Sequence, residues 1–106
     1  MSSRRAMSLF KFDLLAAIAT LSEQNGGNVK GLDIKRCLEE RYSYDVRHGR
    51  LYPNLDELVG LGMITKNKRE IDRRSNNYAL TDRGVRELRA RVEWLGEIDS
   101  PEVTPA

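Results

Sequence analysis

The chain has 106 residues, 40% hydrophobic and 32% charged, which supports one modest core and leaves no room for a second independent domain. A formal net charge of +2 does not by itself mark a nucleic-acid binder, so the local distribution of charge matters more. The single cysteine excludes an internal disulfide and a cysteine-rich metal centre, and no apolar run approaches the roughly 18 residues needed to span a bilayer. The N-terminus "MSSRRAMSLFKF" lacks a signal peptide's long apolar core. The expectation is a soluble cytoplasmic protein with no membrane segment.

Residues 1–8 read as a flexible arm made basic by Arg4 and Arg5. Phe10, Leu14, Ala17, Ile18 and Leu21 then recur at helical spacing up to the break "NGGN" at 25–28. A second helix follows in "GLDIKRCLEERY", whose Leu32, Ile34, Cys37, Leu38 and Tyr42 suggest one buried face. After the short linker "SYD", Ser43 or Asp45 can cap a third helix. That helix carries Leu51, Leu55, Leu58 and Val59 on one side and stops at Gly60 and Gly62. It also contains Pro53, whose carbonyl partner four residues back belongs to Gly49. Both fall opposite the leucine stripe, so the lost hydrogen bond is on the outer face and the apolar pattern survives.

From residue 63 the period changes from 3.6 to 2. "MITKNKREI" and "NNYALT" read as two strands of a hairpin, with the polar "DRRS" as its charged tip. Thr81 or Asp82 can cap a last helix that bears two apolar stripes. One is Val85, Leu88, Val92 and Leu95, and the other is Ala90, Trp94 and Ile98. This is more surface than one small core can cover, which suggests a second copy of the chain. The remainder, "SPEVTPA", reads as a polar tail over 100–106.

Helix, helix, short turn, helix, charged hairpin, helix is the order of a winged helix-turn-helix. The expected class is α+β, mainly helical, with a three-helix core, a two-stranded wing and a C-terminal dimerisation helix. The DNA-binding unit covers 9–81 and the dimerisation helix 82–99. At the start of the third helix, Arg47, His48, Arg50 and Tyr52 are the candidates for the major groove. Arginine can bind guanine O6 and N7 in a bidentate fork, His48 can donate or accept at a base edge, and the Tyr52 hydroxyl can reach a phosphate. Tyr52 can equally pack beside Leu51. On the wing, Arg69, Arg73 and Arg74 can enter a narrow minor groove or clamp its walls, although a basic turn is also an ordinary way to keep a sheet edge soluble. Lys66 and Lys68 extend a phosphate track, and Lys30 and Lys35, by fold position, can add contacts from the second helix. Two copies would place their reading helices about 34 Å apart. Cys37, among apolar neighbours, reads as an inert core residue, with a redox-sensing role as the alternative. No cofactor or metal is expected, and with no phosphate-binding glycine loop or catalytic constellation the chain does not read as an enzyme.

"GRLYPNLDELVGLGMI", followed by "RRSNNYALTDRGVREL", resembles the PadR family of winged-helix transcriptional regulators. The motif residues are Gly49, Leu51, Tyr52 and Pro53, then Leu55, Leu58, Gly62 and Ile64, then Tyr78, Leu80, Thr81 and Gly84. The wording of the third helix is similar to short archaeal members, including those of halophiles. The resemblance implies a homodimer on a pseudo-palindromic operator, paired through the C-terminal helix and helix one, with Leu88, Val92, Trp94, Leu95, Phe10 and Leu14 at the interface. It also implies a possible small-molecule effector, since some members bind flat hydrophobic ligands with an aromatic such as Trp94 at the dimer interface. Two alternatives stay open at this point: a winged-helix module that holds a protein partner, and a repressor responsive to such a ligand.

Overall fold

The computed structural model describes residues 7–27, 29–69 and 72–98, with the backbone alone at 68, 69 and 72–75. The elements are α1 (Leu9–Asn25), β1 (Val29–Lys30), α2 (Gly31–Tyr42), α3 (His48–Gly60), β2 (Ile64–Arg69), β3 (Asp72–Leu80) and α4 (Asp82–Gly96). The basic arm and the polar tail lie outside the described residues, save for Met7 and Ser8.

Helix ends follow local chemistry. The Ser8 hydroxyl caps α1 by accepting from the Lys11 amide at 3.2 Å, and Gly26, left-handed at φ 63°, ends the helix in a conformation that costs glycine nothing. Ser43 is left-handed too, at φ 61°, and terminates α2 by donating its amide to Glu39 O. It therefore closes the helix behind it. The expectation that Ser43 or Asp45 caps α3 is corrected, because Arg47 occupies that position.

The core gathers Phe10, Leu14, Leu15, Ala17 and Ile18 of α1, Ile34 and Leu38 of α2, and Leu51, Leu55 and Leu58 of α3. Leu32 is 51% exposed: two helical positions before Ile34 place it about 200° round the axis, away from the buried face. In α3 the three leucines are fully buried, worth roughly 5–9 kcal/mol together. This outweighs the ~3 kcal/mol cost of a mid-helix proline, and α3 runs unbroken through Pro53. The Asn54 side-chain amide also donates to Arg50 O at 2.7 Å.

The sheet is antiparallel in the order β1-β3-β2. The expected two-stranded wing thus gains a third strand, whose Val29 and Lys30 pair with Tyr78 and Asn77. Strands β2 and β3 pair from Ile64↔Leu80 to Lys68↔Asn76, then shift register so that Arg69 faces Asp72. Arg73 and Arg74 consequently lie within β3, in the stretch where the ladder slips, and not in a "DRRS" tip. Thr81 joins α4 to this body. Its hydroxyl accepts from the Gly84 amide at 3.1 Å and donates to Gly62 O, while its own amide donates to Met63 O at 3.0 Å.

Tyr78 is 1% exposed and its hydroxyl has no hydrogen-bond partner among the described residues. Burial is the main reason its phenol titrates above the ordinary range. Tyr78→Phe is expected to leave stability unchanged or raise it by up to about 1 kcal/mol, since a desolvated, unpaired hydroxyl is removed. The urea midpoint measures this, and a loss above 1 kcal/mol would reveal a partner for the hydroxyl.

Candidate nucleic-acid interface

The four helices differ at their N-termini. Ser8 and Thr81 cap α1 and α4 with their side chains, whereas α2 and α3 begin after Lys30 and Arg47 with no side-chain cap. Lysine and arginine are poor caps. Each leaves its helix start without a side-chain acceptor at the positive end of a helix dipole and adds a positive charge beside it, which favours anions, although Asp33 in the first turn of α2 offsets part of that charge. Tyr52, in the first turns of α3, brings the two ends together: a Cβ on Gly31 would lie 3.0 Å from both Cε1 and Oη of its ring. Glycine at the start of α2 is therefore what lets Tyr52 sit there. Of the two readings of Tyr52, packing is realised, against α2, and its half-buried ring still keeps a polar rim.

Arg47, His48 and Arg50 are exposed at the start of α3. His48 meets Tyr52 edge to face at 5.5 Å. Arg50 does not project freely, since its Cζ lies 3.9 Å from the centroid of the Phe10 ring. The lysines divide. Lys30 is exposed. Lys35 bonds Glu39 at 2.8 Å, and the same carboxylate oxygen accepts from the Val46 amide at 2.9 Å. The Lys35 hydrogen bond, then the Val46 amide, holds the Glu39 carboxyl below its usual range. Glu39 thus fastens α2 to the linker before α3, and Lys35 is engaged with that carboxylate along the same helix. Lys66 is paired with Asp56 at 3.3 Å, an exposed pair of little strength that a phosphate can displace. The side chains of Lys68, Arg69, Arg73 and Arg74 lie outside the described residues.

The proposed interface residues also divide. Phe10 and Leu14 are 5% and 0% exposed, covered by their own chain, so the surface pairing expected of them is corrected. On α1 the exposed large apolar side chain is Leu9, at 68%. Leu88 is half-buried against the core. Val92, Trp94 and Leu95 are exposed on the far half of α4, which ends at Gly96, before the expected residue 99, and Ile98 is exposed just beyond it; Arg91 lies over both Phe12 and Trp94. A groove of about 620 Å³ runs between α1 and α2, with half-buried Cys37 beside Asp33, Arg36, Glu40 and Arg41. Its charged lining is unlike a site for a flat hydrophobic ligand, and it is remote from Trp94 in sequence and in lining. Among the described residues, no helix is long and apolar enough to cross a membrane.

Residues 18–90 match the model of the transcriptional regulator PadR-like family. RosR of H. salinarum is 38% identical, over 91% of this chain and 79% of that one, with a TM-score of 0.75. MarR from E. coli (21% identity, 86% and 59% coverage, TM-score 0.69) and Streptococcus pneumoniae FabT in complex with DNA (20%, 91% and 59%, 0.68) share the fold. No curated protein matches significantly.

Proposed function

The chain belongs to the PadR-like family of transcriptional regulators, and on that premise we propose that it works as a homodimer which sets α3 into the major groove of a pseudo-palindromic operator and its wing against the neighbouring minor groove. The observation that carries this is the pair of helix starts without side-chain caps, α2 behind Lys30 and α3 behind Arg47, with the Tyr52 ring of α3 against Gly31 at the start of α2. Helix starts of this kind, each behind a basic residue, suit backbone phosphates. The groove-facing turn then presents Arg47, His48 and Arg50 to base edges, and Arg69, Arg73 and Arg74 extend the contact along the wing. FabT, which shares the fold, is seen on DNA. The apolar face of Val92, Trp94, Leu95 and Ile98 supports pairing of two copies through α4. A regulator that acts on DNA is placed by this reading in the cytoplasm, and the 38% identity with RosR of H. salinarum supports an archaeal source.

Selection of bound duplexes from a random pool tests the reading. A preferred sequence with two related half-sites is expected, and its affinity should fall linearly with salt on logarithmic axes. Lys30→Ala should weaken preferred and scrambled duplexes alike and reduce that slope by about 1, whereas Arg47→Ala should relax base preference. Recovery of no preferred sequence would overturn sequence-specific regulation.

A further inference from the structure

We infer that Phe10 is a positioning residue for DNA reading: its ring on α1 fixes the guanidinium of Arg50, and with it the direction in which the recognition turn presents its donors. The inference rests on the DNA-binding reading above and deepens it. Arg50 lies in the first turn of α3, yet the surface under its head group comes from forty residues earlier in the chain. The Phe10 ring is itself held. It is 5% exposed and has Tyr42 beside it, with centroids 6.5 Å apart and planes tilted by 36°. Tyr42 in turn donates its hydroxyl to Asp13 of α1 and stacks on Tyr44 at 5.0 Å and 15°. An aromatic row therefore runs from α1 across the end of α2 to the turn before α3, and Arg50 closes its near end.

Cation–π stacking uses only the face of the guanidinium. The five N–H groups lie in its plane and stay available along its edges, where a guanine or phosphate engages the fork. An arginine free in solvent loses its rotamer freedom when it binds. One already laid on a ring has lost much of it beforehand, which favours the duplex whose base edge meets that orientation. Because the ring belongs to α1, the direction of reading is set jointly by α1 and α3. A plain core role for Phe10 would make no such distinction between duplexes.

The test compares the best duplex from the selection with a scrambled duplex of equal length. Phe10→Leu, which keeps an apolar side chain and removes the π face, is expected to lower the ratio of the two affinities by about 2- to 30-fold. In an Arg50→Ala background the same substitution should change the ratio no further. A ratio kept by Phe10→Leu and lost by Arg50→Ala would overturn the inference, as would an undiminished effect of Phe10→Leu when Arg50 is already gone. A second measurement does not depend on a variant folding: in the wild-type chain, the Arg50 Nε–H proton should show an upfield ring-current shift and keep it in the complex. Loss of that shift on binding would mean that the stack is broken and not used. If wild type fails to distinguish the duplexes, the DNA-reading proposal itself falls, and this inference with it, whereas discrimination without dependence on Phe10 removes the inference alone.

Discussion

Gly84→Ala is expected to destabilise the domain by about 1–2 kcal/mol. A Cβ at this position would stand 2.0 Å from Met63 O, and that neighbour is backbone, so no side-chain rotation relieves the clash. Alanine would improve helix propensity by roughly 1 kcal/mol, but forcing apart a packed junction costs about 1–3 kcal/mol and sometimes more. The clash wins, because the same carbonyl also receives the Thr81 amide and cannot retreat without breaking that bond. Denaturation in urea should show a lower midpoint at unchanged slope, with a thermal midpoint at least about 4 °C lower by the usual scaling for small domains. Gly60→Ala is the control. It meets nothing within 4 Å and has no positive φ, so it should be neutral or stabilising. Equal stability of Gly84→Ala and the wild type would refute the close approach of α4 to the α3–β2 turn.

Val92→Glu combined with Leu95→Glu is expected to abolish pairing and to weaken operator binding by about 100-fold or more, while the domain stays folded. Both side chains are exposed, at 59% and 47%, so little of the chain's own core depends on them. In a dimer they would sit in apolar contact, where four carboxylates cannot be desolvated together. Loss of the second subunit removes the effective concentration that makes the second half-site intramolecular, a factor of about 10²–10⁴. Sedimentation should report a monomer of about half the wild-type mass with unchanged far-ultraviolet circular dichroism. Persistence of the dimer would move the interface elsewhere on the molecule.

Much of this was readable in the sequence, and the reasons differ by element. The bounds of α2 and the buried stripe of α3 follow from apolar period and from the breaks on either side, which are local properties. The Lys35–Glu39 pair was also within reach, since i,i+4 charges face each other on any helix. Strand β1 was out of reach because two residues carry no period, and only β3, far along the chain, makes Val29–Lys30 a strand. The wing ladder closed at Arg69–Asp72, earlier than the polar cluster suggested, because register is decided by cross-strand pairing and not by composition. Phe10 and Leu14 were assigned to the interface through the family resemblance, which names helix one without saying which of its apolar residues its own chain covers. The contact between Phe10 and Arg50 is a property of the tertiary fold, and no spacing rule reaches across forty residues.

The uncapped starts of α2 and α3 also bear on stability. A serine or threonine in place of Lys30 or Arg47 would contribute about 1 kcal/mol to each helix, a contribution the unbound protein forgoes twice. On the proposed mode of binding, backbone phosphates accept from those same amides and finish both helices. DNA then acts as a structural ligand that prefers the folded chain, and it raises the melting temperature by mass action. The regulator is least stable when idle, so its stability and its occupancy of the operator rise together.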